Sequence, residues 1–115
     1  MTSKEALKIA VESLSEKKGD QIKIIDISNV SVIADYFVIA SGKNINQIKA
    51  MADEVEEKLG KAGITPKQIE GYNSAGWILM DYRDFIIHIF NEEQRLYYDI
   101  ERIWSDGKGV EIADL

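Results

Sequence analysis

The chain contains no cysteine, which excludes disulfides, thiolate-held metals and cysteine nucleophiles and suits a reducing compartment. It has a single histidine, His88, so no pair of imidazoles can share a metal ion or relay a proton. One proline and a hydrophobic fraction of 45% leave no sign of extended disorder. Long apolar runs are also missing: no segment approaches the roughly 18 residues of a membrane span. The first residues, MTSKEALKIAVESL, carry acidic groups where a signal peptide needs an unbroken apolar stretch. These absences predict a soluble, cytoplasmic protein without a membrane partner.

Positive charge is scarce as well. Fourteen Lys and Arg stand against twenty Asp and Glu, for a net charge of -6, which disfavours direct DNA or RNA binding, because phosphate contacts need cations to displace counterions. The imbalance is local: residues 1–69 hold ten basic and ten acidic side chains, residues 70–115 four and ten. An acidic C-terminal part suits a basic protein partner, whose encounter it speeds.

At 115 residues the chain is long enough for one domain with one core. Thr2-Ser3-Lys4-Glu5 is a capping-box pattern, and Leu7, Ala10, Val11 and Leu14 share a helical face, predicting a helix over about 3–18. QIKIIDI (21–27) and YFVIA (36–40) read as strands joined by a loop too short for a crossover helix, hence antiparallel or separated by another strand. Ile45, Ile48, Met51, Ala52, Val55, Leu59 and Ala62 keep a 3.6-residue period after an Asn44 cap, predicting the second helix. PKQIEG (66–71) is a weak edge strand, and WILMDY (77–82) and DFIIHIF (84–90) a hairpin. NEEQRLYYDIERIW (91–104) reads as a helix, whole or broken into two short turns, with Leu96, Ile100, Ile103 and Trp104 on its core stripe and Arg95, Tyr97 and Tyr98 off it. Residues 106–115 lack periodicity and are expected to be a tail behind a single domain spanning 1–105. The fold class is α/β: a mixed sheet of about five strands flanked by helices.

His88 sits in an apolar strand. Alternation puts Phe85, Ile87 and Ile89 on one face and Asp84, Ile86, His88 and Phe90 on the other, both largely apolar, so the imidazole is expected to be buried or half-buried. With Asp81 opposite Asp84 in the hairpin, Trp77 falls opposite His88. No nucleophile or second metal ligand lies within predicted reach, which makes His88 a packing residue beneath a surface rather than a base. ASGKN (40–44) could present backbone N–H groups to an anion at a helix start, but no full phosphate-loop pattern is present. A nucleotidyltransferase-like, nucleotide-binding protein or enzyme remains the alternative, although the following strand supplies only Glu70 where such sites need two carboxylates on one face.

ADYFVIASGKN (34–44), IEGYNSAGWILMDYRDFIIHIF (69–90) and EEQRLYYDIERIW (92–104) resemble, in order and spacing, the ribosomal silencing factor (RsfS, or Iojap) family over about residues 3–105. The resemblance implies a nucleotidyltransferase-like fold without the catalytic acids, no cofactor or metal, and no enzymatic activity. It implies binding to the large ribosomal subunit at its basic fourteenth protein, where the small subunit docks, and hence a block of subunit joining that represses translation under nutrient limitation. A homodimer of the free protein is a further implication. Carried onto this sequence, the partner-binding surface comprises Glu70, Trp77, Asp81, Asp84, His88, Arg95, Tyr98 and Glu101.

Overall fold

A computed structural model describes every residue except Ala75. Helix α1 (Ser3–Glu16) begins with the expected capping box: the Thr2 hydroxyl accepts from Glu5 N–H and the Glu5 carboxylate accepts from Thr2 N–H. Strand β1 (Asp20–Asp26) and strand β2 (Tyr36–Gly42) pair antiparallel. Helix α2 (Ile45–Lys61) starts at Asn44, whose side-chain oxygen accepts from Gln47 N–H at 2.8 Å, and carries a Glu54–Lys58 ion pair at 3.9 Å. Strands β3 (Gln68–Glu70), β4 (Trp77–Asp81) and β5 (Phe85–Asn91) follow, then helices α3 (Glu92–Tyr98) and α4 (Ile100–Ile103) and strand β6 (Lys108–Val110).

The strands form one sheet in the order β3-β4-β5-β2-β1-β6. Only β2 and β5 run parallel; the other pairs are antiparallel. Helices α1 and α2 cover one face, where Leu7, Val11 and Leu14 meet Met51, Val55 and Leu59 above Val38, Ala40, Ile78, Met80, Ile87 and Ile89. The opposite face carries a smaller cluster of Ile25, Ile27, Phe37, Ile39, Ile86 and Phe90, with Trp77, Leu79, Ile100 and Trp104 packed at its margin. The alternation read from DFIIHIF therefore places the side chains from Phe85 to Phe90 on their observed faces, whereas Asp84, before the strand, turns toward Ser3 of α1.

Three expectations are corrected. Residues 106–115 were expected to trail away, but Lys108–Val110 pairs with Asp26–Ile24 as a sixth strand; a segment of three residues has no periodicity to read, and only the edge of β1 gives it a partner. The hairpin register also differs. Asp81 lies opposite Ile86, Leu79 opposite His88 and Trp77 opposite Phe90, because Arg83 takes a left-handed turn at φ 73° and its N–H is held by the Asp81 carboxylate at 2.8 Å. A slip of two residues keeps every side chain on its face. The C-terminal helix is the broken form of the two read from the sequence, divided at the left-handed Asp99 (φ 47°, ψ 49°), but its expected apolar stripe is not the buried one. The inner side of α3 is then Gln94, Arg95 and Tyr98, at helical i, i+1 and i+4 spacing, so Leu96 (80% exposed) and Ile103 (68%) point outward and Arg95 (6%) inward.

Candidate docking face

The face opposite α1 and α2 is only partly covered, and the aromatic residues gather there. Trp77 stands at the start of β4, directly opposite Phe90 of β5, and the two rings stack with centroids 4.9 Å apart. Tyr98, at the end of α3, lies 4.6 Å from the Trp77 ring and remains 41% exposed. His88 is buried beneath them. Its Nδ1 accepts a hydrogen bond from the Trp77 indole N–H at 3.1 Å, reaching diagonally across the strand pair, and its ring meets the edge of Phe37 at 4.8 Å. Burial lowers the imidazole pKa from 6.5 to about 4, so the ring is neutral at physiological pH. With Nδ1 accepting, the ring proton sits on Nε2, which is buried without a hydrogen-bond partner among the described residues. A neutral imidazole facing aromatic rings, with no nucleophile bonded to it, orients Trp77.

Beside this platform, Trp77 and Leu79 are half-buried and line a shallow groove with Glu70 and Gly71, of about 200 Å³. Gly71 is needed there: its φ is +78°, and a Cβ would strike the Trp77 carbonyl oxygen. A second hollow is lined by Ser74, Gly76, Trp77, Asn91, Gln94 and Tyr98. Trp77 thus separates two depressions.

Arg95 and Glu101 occupy a different place, at the C-terminal end of β2. The Arg95 Nε donates to Glu101 Oε1 at 2.7 Å and its Nη1 to Ser41 Oγ at 2.8 Å, while Lys23 Nζ lies 3.1 Å from Glu101 Oε2. Burial pushes the Glu101 carboxyl up, but hydrogen bonds and charge from Arg95 and Lys23 outweigh it and hold the group below the ordinary carboxylate range. Asp81 and Asp84 lie away from the aromatic platform, at the hairpin. Asp81 holds the turn, and Asp84 accepts from the Ser3 hydroxyl at 2.7 Å, which draws it toward the first turn of α1. Of the eight residues taken from the resemblance, Trp77, His88 and Tyr98 are therefore brought together with Glu70 adjoining, Arg95 and Glu101 form a second group, and the two aspartates stand apart.

Phe90, Leu79 and Lys23 belong to these arrangements and were not singled out in the sequence. Phe90 reads in the sequence as one more apolar side chain of its strand; its role is visible only once the register sets it opposite Trp77. Lys23 has no local signal, because its partner lies 78 positions later, at Glu101.

The anion reading of ASGKN is not supported. The Lys43 N–H donates to Gln47 Oε1 at 2.7 Å, the Gln47 N–H goes to Asn44, and the Gln47 amide donates to the Lys18 carbonyl at 2.9 Å, so the junction closes on itself and ties α2 to the end of α1. In β3, Gln68 and Glu70 share a face, and only one of them is an acid. Among the described residues no group of three His, Asp or Glu side chains could hold a metal, and no helix is long and apolar enough to cross a membrane.

Comparison with known proteins gives one answer. The family model described as "Ribosomal silencing factor during starvation" matches residues 1–115. The ribosomal silencing factor RsfS of Halalkalibacterium halodurans is 36% identical over 112 residues, covering 97% of this chain and 96% of that protein. That of Bacillus subtilis is 36% identical over 115 residues, covering 100% of this chain and 95% of the relative. A crystal structure of a protein from Chromobacterium violaceum superposes with a TM-score of 0.89 at 35% identity, covering 91% of this chain and 88% of the other.

Proposed function

The chain belongs to the ribosomal silencing factor family, and we propose that it represses translation by steric block, docking on the basic fourteenth protein of the large ribosomal subunit so that the small subunit cannot join. The observation that carries this reading is the half-covered sheet face on which Trp77 and Tyr98 stay accessible above Phe90 and His88. Rigid aromatic rings with an apolar body and a polar tip are the side chains that supply most binding energy at protein interfaces. An exposed acid, Glu70, adjoins them at the groove, and Glu92 and Glu93 are exposed at the start of α3, the helix that ends in Tyr98, which suits a partner rich in Lys and Arg.

In this reading Trp77, Tyr98 and Glu70 touch the partner. His88 fixes the indole from below, and Arg95 and Glu101 support α3. Asp81 and Asp84, farther along the hairpin, steer the approach. The protein does no chemistry; occupancy of the docking surface is the whole effect. A second copy of the chain competes for the same aromatic face, so a homodimer of the free protein would have to open before docking.

The test is co-sedimentation with purified bacterial large subunits, followed by addition of small subunits and separation of joined ribosomes on a gradient. The expected result is binding with loss of joined ribosomes. Tyr98→Ala should weaken binding by about 2 kcal/mol, the scale of an aromatic anchor. Charge reversal at Asp81 and Asp84 should mainly slow association and flatten its salt dependence. Intact large-subunit binding by a folded chain carrying Tyr98→Ala with both reversals would place the interface elsewhere.

A further inference from the structure

Helix α3 is held to the sheet in an unusual way. It has seven residues, too few to be stable alone, and a surface helix is ordinarily kept in place by an apolar stripe. Here the one buried residue of α3 is Arg95, and α4 has none. Leu96 and Tyr97 face solvent, as does Ile103 beyond the break. The helix that carries Tyr98 is therefore held by a buried guanidinium, with the Tyr98 ring on Trp77 as its other contact with the sheet.

That guanidinium ties α3 to three other parts of the fold. It projects from α3, donates through Nη1 to Ser41 at the end of β2 and, at 3.4 Å, to the Asp20 carbonyl at the start of β1, and donates through Nε to Glu101 in α4. Arg95 and Glu101 stand on opposite sides of the left-handed Asp99, so their ion pair fixes the angle at which α4 leaves α3. Lys23 holds Glu101 from β1. Tyr98 is one turn beyond Arg95, on the same side of the helix, and its ring position over Trp77 follows from where Arg95 seats that turn.

We propose that Arg95 is a positioning residue: with Glu101 as its partner it sets α3 so that Tyr98 is preorganised over Trp77 for docking. This rests on the docking reading given above, and it assigns Arg95 to the underside of the surface rather than to the contact itself. A buried guanidinium with a partly buried carboxylate partner is well suited to such a task, because directional hydrogen bonds fix one geometry where an apolar side chain would accept several, even when they add little net stability.

Arg95→Met, which keeps the aliphatic length and removes the donors, should speed amide hydrogen exchange in residues 92–98 of the free protein while leaving β2 and β5 protected, and should weaken large-subunit binding about tenfold or more. The paired variant Arg95→Met with Glu101→Gln also removes the carboxylate, which Arg95→Met leaves paired with Lys23 alone; it should not recover binding. Tyr98→Ala should cost much less affinity in the Arg95→Met background than in the parent, because the ring is already misplaced. Unchanged exchange in residues 92–98, or an equal effect of Tyr98→Ala in both backgrounds, would overturn the proposal. If the parent chain itself fails to bind large subunits, the docking reading falls, and the exchange measurement alone then decides whether Arg95 seats α3.

Discussion

Lowering the pH from about 8 to about 5 should remove about 2 kcal/mol of folding stability through His88 alone. The imidazole titrates near 6.5 when exposed and, by burial, at about 4 in the folded chain. As pH falls through this interval the unfolded chain takes up a proton that the folded chain refuses, so the stability is fully present above about 6.5 and is lost progressively toward 4. Charging the ring also turns Nδ1 into a donor, which breaks the bond it accepts from Trp77. His88→Leu removes the titrating group and leaves the half-buried indole N–H without its acceptor, at a cost of about 1 kcal/mol near neutral pH. The variant should therefore be the less stable protein at about pH 8 and the more stable one at about pH 5, with the curves crossing between. Glu5, Asp26 and Glu101 have lowered carboxyl pKa values; their stability is present above the ordinary carboxylate range and is lost as pH falls below it. They are common to both proteins and cancel in the difference. Urea unfolding followed by far-UV circular dichroism at a series of pH values gives that difference directly. A parent-minus-variant gap that stays constant across the series would refute the assignment of a buried, neutral His88.

Gly71→Ala should destabilise the fold by about 2 kcal/mol or more, since both the positive φ and the approach to the Trp77 carbonyl forbid a methyl group; a melting temperature within error of the parent would mean that the turn between β3 and β4 relaxes freely. Calorimetric titration with ATP, CTP, GTP and UTP in the presence of magnesium should show no binding, because the N–H groups of Lys43 and Gln47 are already engaged by side chains and β3 carries only one acid; saturable heat with any nucleotide would count against that closed junction.

The elements with long, regular patterns were legible. Helix α2 has seventeen residues with an intact apolar period and an asparagine cap, and the two faces of β5 followed from simple alternation. What could not be read was whatever depends on a distant partner. The register of β4 on β5 turns on one left-handed residue, Arg83, and arginine carries no bias toward that conformation. The inward turn of Arg95 depends on Ser41 and Asp20, 54 and 75 positions away, whereas the local sequence offers Leu96 as the natural anchor. β6 exists because β1 has an open edge. The family resemblance offers a set of residues; only the fold separates those that reach solvent, such as Glu70 and Tyr98, from those that are buried, such as His88 and Arg95.

The sheet ends in strands of three residues on both sides, Gln68–Glu70 and Lys108–Val110. An edge this short offers a neighbouring chain very few main-chain hydrogen bonds, and Lys108 places a charge on one of them, so growth of the sheet by strand addition is discouraged at either end. Short edges of this kind disfavour fibrous aggregation of a chain that also exposes Tyr98 beside Trp77.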